Sequence, residues 1–170
     1  MSEETTNADN DEAFRATRRM EASSTVQTYM GWSAGASLLP IPAVDLAAVT
    51  LLQLKMVADL ASIYQVPFSR NLVKTIIAAL LGSALPMTLA RGVSSLVKSI
   101  PGVGTAVGML GGPAFTTAST YAIGRVFIQH FEAGGNILNF DPEAMRDYFK
   151  KEFDSGMSQA KAENKNTKAA

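Results

Sequence analysis

The chain has 170 residues, with fifteen Lys and Arg against fifteen Asp and Glu, one His, no Cys and a mean hydropathy of +0.11. The absence of Cys excludes disulfides and thiol catalysis, and a single His argues against a structural zinc site. Zero net charge leaves no nucleic-acid footprint, which needs a clustered basic face.

Charge is unevenly spread. Residues 31–54 and 99–124 hold almost none, while both ends are rich in it. A soluble domain normally carries charge along every helix. The N-terminus, MSEETTNADNDEAF, is acidic and polar and lacks the basic start of a secretory signal. It is expected to lie in the cytoplasm, with residues 1–13 as a disordered acidic tail. Arg15, Arg18 and Arg19 then reverse the sign, and Arg15 and Arg19 share a helical face. They read as a juxtamembrane basic patch meeting anionic headgroups, or as an ordinary solvated face.

A helix is expected from Phe14 to Leu39, although Thr25, Val26 and Thr28 also suit a short strand. Its second half carries Gly31 and Gly35 four apart, a spacing that lets a second helix approach closely. Gly31-Trp-Ser33-Ala-Gly35 also matches the GxSxG pattern of serine hydrolases. That chemistry needs Ser33 on a strained elbow above a parallel sheet, and no strand–helix alternation is present to build one. Pro40-Ile41-Pro42 ends the helix.

A second helix is expected from Ala43 to Gln65, apolar nearly all round but for Asp45, Lys55 and Asp59. At 100° per residue these three fall within about 80° of one another, a narrow polar stripe. It reads as a cap plus an i,i+4 ion pair facing water, or as a buried polar seam. Val66-Pro67-Phe68 is a turn. The next helix, about 70–99, should kink at Pro86. Its uncharged run, 75–90, is shorter than the roughly 20 residues of a perpendicular membrane span.

After Pro101 comes an uncharged stretch, 102–124, in which Gly104, Gly108 and Gly112 form a GxxxGxxxG row. In lipid such a row is a close-packing seam; in water each helical glycine costs roughly 0.8–1 kcal/mol relative to Ala. Ala114 to Glu132 is helical again, and Gly134-Gly135 stops it. His130 reads as a partly exposed side chain near that end, and Arg125, Gln129 and Glu132 as a local polar cluster. Asp141-Pro142-Glu143 opens an amphipathic helix ending at Gly156, so that 136–156 forms a C-terminal unit on the helical domain 14–135. Residues 157–170 are expected to be a disordered tail. No phosphate loop occurs and no cofactor is implied.

The run GWSAGASLLPIPAVDLAAVTLLQLKMVADLASIYQVPFS resembles the signature of the YcjF-like family of bacterial GTPase-associated predicted-membrane proteins of unknown function. SIPGVGTAVGMLGGPAFTTASTYAIGRVFIQHFEAGG is similar to that family's second half. The resemblance covers about Tyr29 to Gly135 and implies a helical membrane module that works with a GTPase. It implies no catalytic residues. No GTPase domain is visible in this chain, so such a partner would act in trans.

Together these readings lead to an all-α, membrane-associated fold of helical hairpins or a bundle packed through small-residue (GxxxG) seams, in the cytoplasmic membrane. The expected role is non-catalytic, structural or interactive, with membrane lipids, a separate GTPase and further copies of the chain as partners. The alternatives are a soluble helical bundle that binds a protein partner, and a pore or carrier.

Overall fold

The computed structural model describes residues 2–36, 44–84 and 113–169, and these form five α-helices and one short 3-10 turn. They are α1 (Ser2–Ala36), α2 (Val44–Ile63), α3 (Arg70–Ala84), α4 (Pro113–Glu132) and α5 (Arg146–Ala169), with the turn at Ile137–Asn139. The all-helical expectation holds. Gly104, Gly108 and Gly112, the proposed kink at Pro86 and the PIP break lie outside the described residues.

α4 is the axis of the bundle. Its buried residues run almost round the helix and include Ala118, Ala122, Ile123, Gly124, Phe127 and Phe131. Arg19–Glu132, Val26–Gly124 and Ser33–Thr120 set α1 antiparallel to it. Gln53–Ser119 and Tyr64–Glu132 set α2 parallel to it. Arg125–Glu152 and Ala118–Gly156 set α5 antiparallel to it. One contiguous apolar cluster joins these faces, with Phe127, Phe149, Met56, Leu60 and Ile77 fully inside.

Several boundaries have local causes. α2 ends in a left-handed residue, Gln65 at φ 56°, and the amide of Val66 donates back to Ala61 at 2.8 Å. α4 ends at Gly134, φ 82°, with Gly135 N–H donating to the His130 carbonyl. Asp141 Oδ1 accepts from the amides of Glu143 and Ala144, as an N-terminal cap should.

Three expectations differ from what is observed. The acidic stretch expected as a disordered tail is the first part of α1, which contains no Gly or Pro between Ser2 and Met30 to interrupt it. Gly156 does not stop α5, which continues to Ala169. A Cβ there would come within 2.9 Å of Ala118 Cα, so this glycine lets α5 cross α4 closely. The short-strand reading of Thr25–Thr28 also gives way to helix, in which Thr25 and Thr28 bond back to carbonyls four residues earlier.

Candidate functional site

Two surface features and one buried polar seam hold the chemistry-bearing residues. The seam lies where α1, α2 and α4 meet. Ser33 Oγ donates to the Tyr29 carbonyl at 2.6 Å and pairs with Thr120 Oγ1 at 3.0 Å. Gln53 Nε2 lies 3.2 Å from Ser119 Oγ and 3.3 Å from Thr120 Oγ1, while its Oε1 is buried without a hydrogen-bond partner. Ser33 is therefore a buried mid-helix residue bonded to its own preceding turn. That geometry is incompatible with the exposed strand-to-helix nucleophile of a GxSxG hydrolase.

The polar stripe divides. Lys55 Nζ lies 2.7 Å from Asp59 Oδ1 on the outer side of α2, and Asp59 Oδ2 accepts from the Tyr29 hydroxyl at 2.6 Å. Burial alone would raise the Asp59 carboxyl, but bonds from Lys55 and Tyr29 outweigh it and hold it below its ordinary value. The pair faces water and the carboxylate also ties α2 to α1. Asp45 belongs to the first turn of α2, and its side chain lies outside the described residues.

Gly31 and Gly35 are exposed, and a Cβ at either would meet nothing within 4 Å. The tight helix crossings among the described residues fall instead at Gly124 against Val26 and at Gly156 against Ala118. Trp32, beside Gly31, is also exposed and meets Tyr29 edge-on at 5.1 Å.

The basic patch is where the structure adds most. Arg15, Arg18 and Arg19 line an open groove of about 720 Å³ with Tyr64, Gln129 and Glu132, between α1 and the ends of α2 and α4. Arg19 Nη2 donates to Glu132 Oε2 at 2.8 Å, and Tyr64 donates to Glu132 Oε1 at 2.6 Å. Arg18 stacks over the Tyr64 ring at 4.8 Å and faces the Phe14 ring at 5.5 Å. Burial would raise the Glu132 carboxyl, but the Tyr64 and Arg19 bonds hold it below its ordinary value. The Tyr64 hydroxyl is pushed up, first by burial and then by its bond to Glu132.

Arg125, which the sequence groups with Glu132, turns to the other neighbour. Its Nε lies 3.4 Å from Glu152 Oε2 on α5, within ion-pair reach but misaligned for a hydrogen bond. His130 Nε2 reaches the Asn136 carbonyl at 2.9 Å and Asn139 Oδ1 at 3.1 Å, pinning the 3-10 turn to the end of α4.

Glu132→Ala leaves the largely buried Tyr64 hydroxyl without its acceptor. A loss of about 1–3 kcal/mol of unfolding free energy is expected. Arg19→Ala should lose far less, because Arg19 is exposed and its ion pair is screened. Both carboxylates, Glu132 and Asp59, titrate below their ordinary values of 4.5 and 3.8. Their contribution is complete above those values and disappears as pH falls through the lower folded ones. The gap between wild type and Glu132→Ala in urea titrations should therefore narrow in acid, as the pH falls below 4.5. A gap that stays constant into strong acid would contradict this.

The second surface feature joins α2 to α3. Leu51, Leu54, Lys55, Ala58, Phe68 and Arg70 line a shallow groove of about 280 Å³. Leu51 and Phe68 are 53% and 40% exposed, more than core residues allow. Lys74, one turn beyond Arg70, is exposed too. The turn at 64–69 separates the two surfaces: Tyr64 and Val66 face the basic groove, Phe68 the apolar one.

Among the described residues no group of His, Cys, Asp and Glu is arranged to hold a metal ion, and no helix is long and apolar enough to cross a membrane. The architecture is thus a helical bundle with a buried polar seam and two contrasting surfaces, one basic and concave, one apolar with a cationic rim.

Residues 2–155 match a domain of unknown function, DUF697, and the chain belongs to that family. It is 40% identical over 144 residues to magnetosome membrane protein 22 of Magnetospirillum gryphiswaldense, covering 84% of this chain and 74% of the relative. No solved structure matches.

Sequence reasoning identified the three arginines but not Tyr64 or Gln129 as their neighbours, and it paired Glu132 with Arg125 rather than Arg19. Arg19 and Glu132 are separated by 113 positions, and no local pattern links them. Phe68 carried a signal in the VPFS turn: a large apolar residue after a proline, with basic residues following.

Proposed function

We propose that this chain is a non-catalytic, membrane-associated helical module with a structural or interaction role. The observation that carries it is the α2–α3 surface, where Leu51 and Phe68 are exposed in one groove with Lys55 and Arg70, and Lys74 follows one turn after Arg70. Apolar side chains with a cationic rim suit the boundary between acyl chains and anionic headgroups. The Magnetospirillum relative, a magnetosome membrane protein, supports the same location.

With no crossing helix among the described residues, their contact would be with the membrane surface. The proposed face is the cytoplasmic one, where the leaflet is anionic. The resemblance to YcjF-like proteins supports a GTPase acting in trans. The exposed Gly31, Trp32 and Gly35 leave that side of α1 open to a second copy of the chain. Fractionation of cells making the tagged protein tests location: it should pellet with membranes, and recovery in the soluble fraction would overturn the reading. A GTPase should copurify from mild detergent, and its absence after crosslinking would remove that partner.

A further inference from the structure

We infer that the groove between α1 and the ends of α2 and α4 binds a phosphate monoester, carried by a lipid headgroup or by a small soluble phosphate. Four observations converge on it. The groove is concave, with room for a group to enter between helices, rather than a flat charged face. Three arginines and one glutamate line it, a formal excess of +2. A phosphate monoester carries close to two negative charges near neutral pH. Glu132 is already engaged by Arg19 and Tyr64, so Arg15 and Arg18 are the cations left for a ligand.

Arg18 is the prepared one. Its guanidinium lies over the Tyr64 ring at 4.8 Å and near Phe14, which holds the plane while leaving its edge to donate. Its Nε–H is buried and has no acceptor. Arg15, exposed and one turn earlier on α1, supplies a second fork on the same side. Guanidinium forks match the oxygens of phosphate in pairs, which an ammonium does not.

The site does not depend on membrane attachment through Leu51 and Phe68. A soluble phosphate would fill it without any bilayer, so the two readings fail separately. The test is thermal unfolding of the full chain against inorganic phosphate at constant ionic strength. Beside it runs flotation with phosphatidylcholine vesicles that contain or lack phosphatidic acid.

Saturable stabilisation by inorganic phosphate is expected. Arg15→Gln should weaken it about tenfold, as loss of one charged hydrogen bond implies. The double variant with Arg18→Gln should abolish it, and Lys150→Gln on α5 should leave it unchanged. Arg15 is exposed, so its variant keeps the test decisive even if the double variant unfolds. Stabilisation by inorganic phosphate without preference for phosphatidic acid assigns the site to a soluble ligand. Preference for phosphatidic acid that inorganic phosphate competes away assigns it to a headgroup. No saturable effect of either, or equal affinity in Arg15→Gln, overturns the proposal.

Discussion

Phe127→Ala is expected to lower the unfolding free energy by about 3–5 kcal/mol, the usual cost of emptying a buried aromatic site. Phe127 is fully buried on α4. Its ring stacks on Phe140 at 4.9 Å and tilts against Phe131 at 5.7 Å. Those contacts join α4 to the segment that leads into α5, so little is free to collapse into the space. At about 2–4 °C per kcal/mol for a chain of this size, the melting temperature should fall by roughly 10 °C. Leu138→Ala is the comparison. That side chain is 81% exposed, and its loss should stay within about 0.5 kcal/mol. Similar losses in both variants would mean that α4 is not the axis of the core.

Gly124→Leu should destabilise as well, for the opposite reason. A Cβ at Gly124 would run into both methyl groups of Val26 on α1, and Val26 is itself buried. Leucine is a far better helix former than glycine, so propensity alone would favour the variant by up to about 1 kcal/mol. Overpacking of a tight crossing typically costs about 1–3 kcal/mol and sometimes more, and it should win here. Val26→Ala opens the space that the new side chain needs. The double variant should therefore recover much of the loss, a coupling that denaturant titration of the four proteins would read directly. Without such recovery, the α1–α4 crossing is not set by this pair.

These two positions show what local sequence can and cannot convey. Helix ends were legible wherever a single residue type dictates the backbone. Gly134 stops α4, Asp141 caps the following turn, and the VPFS segment breaks α2 from α3. Glycine inside a helix was ambiguous, because one residue type serves both as terminator and as crossing point. Gly156 looked like the first and is the second, and only its distance from Ala118 decides between them. Gly31 and Gly35 have the spacing of a packing seam, yet within this chain they face open space.

The site was legible only in part, for a similar reason. Three arginines in five residues announce a basic face, but their chemistry depends on what lies opposite. Glu132 neutralises one of them and Tyr64 stacks on another, from helices far along the chain. The apolar groove was harder still. α2 is apolar nearly all round, so its sequence does not say which leucines are inside. Leu54 and Leu60 are buried whereas Leu51 is outside, and the direction of α4 decides this.

Membrane attachment is proposed for the α2–α3 surface, where Leu51 and Phe68 are exposed beside Lys55 and Arg70. Vesicle flotation of the purified protein tests it most directly, with phosphatidylcholine–phosphatidylglycerol vesicles. The wild type should float with the lipid. The Leu51→Gln/Phe68→Gln variant should stay at the bottom of the gradient while keeping its helical circular dichroism. A wild type that remains at the bottom, or a double variant that floats as well as the wild type, would mean that this surface does not hold the membrane.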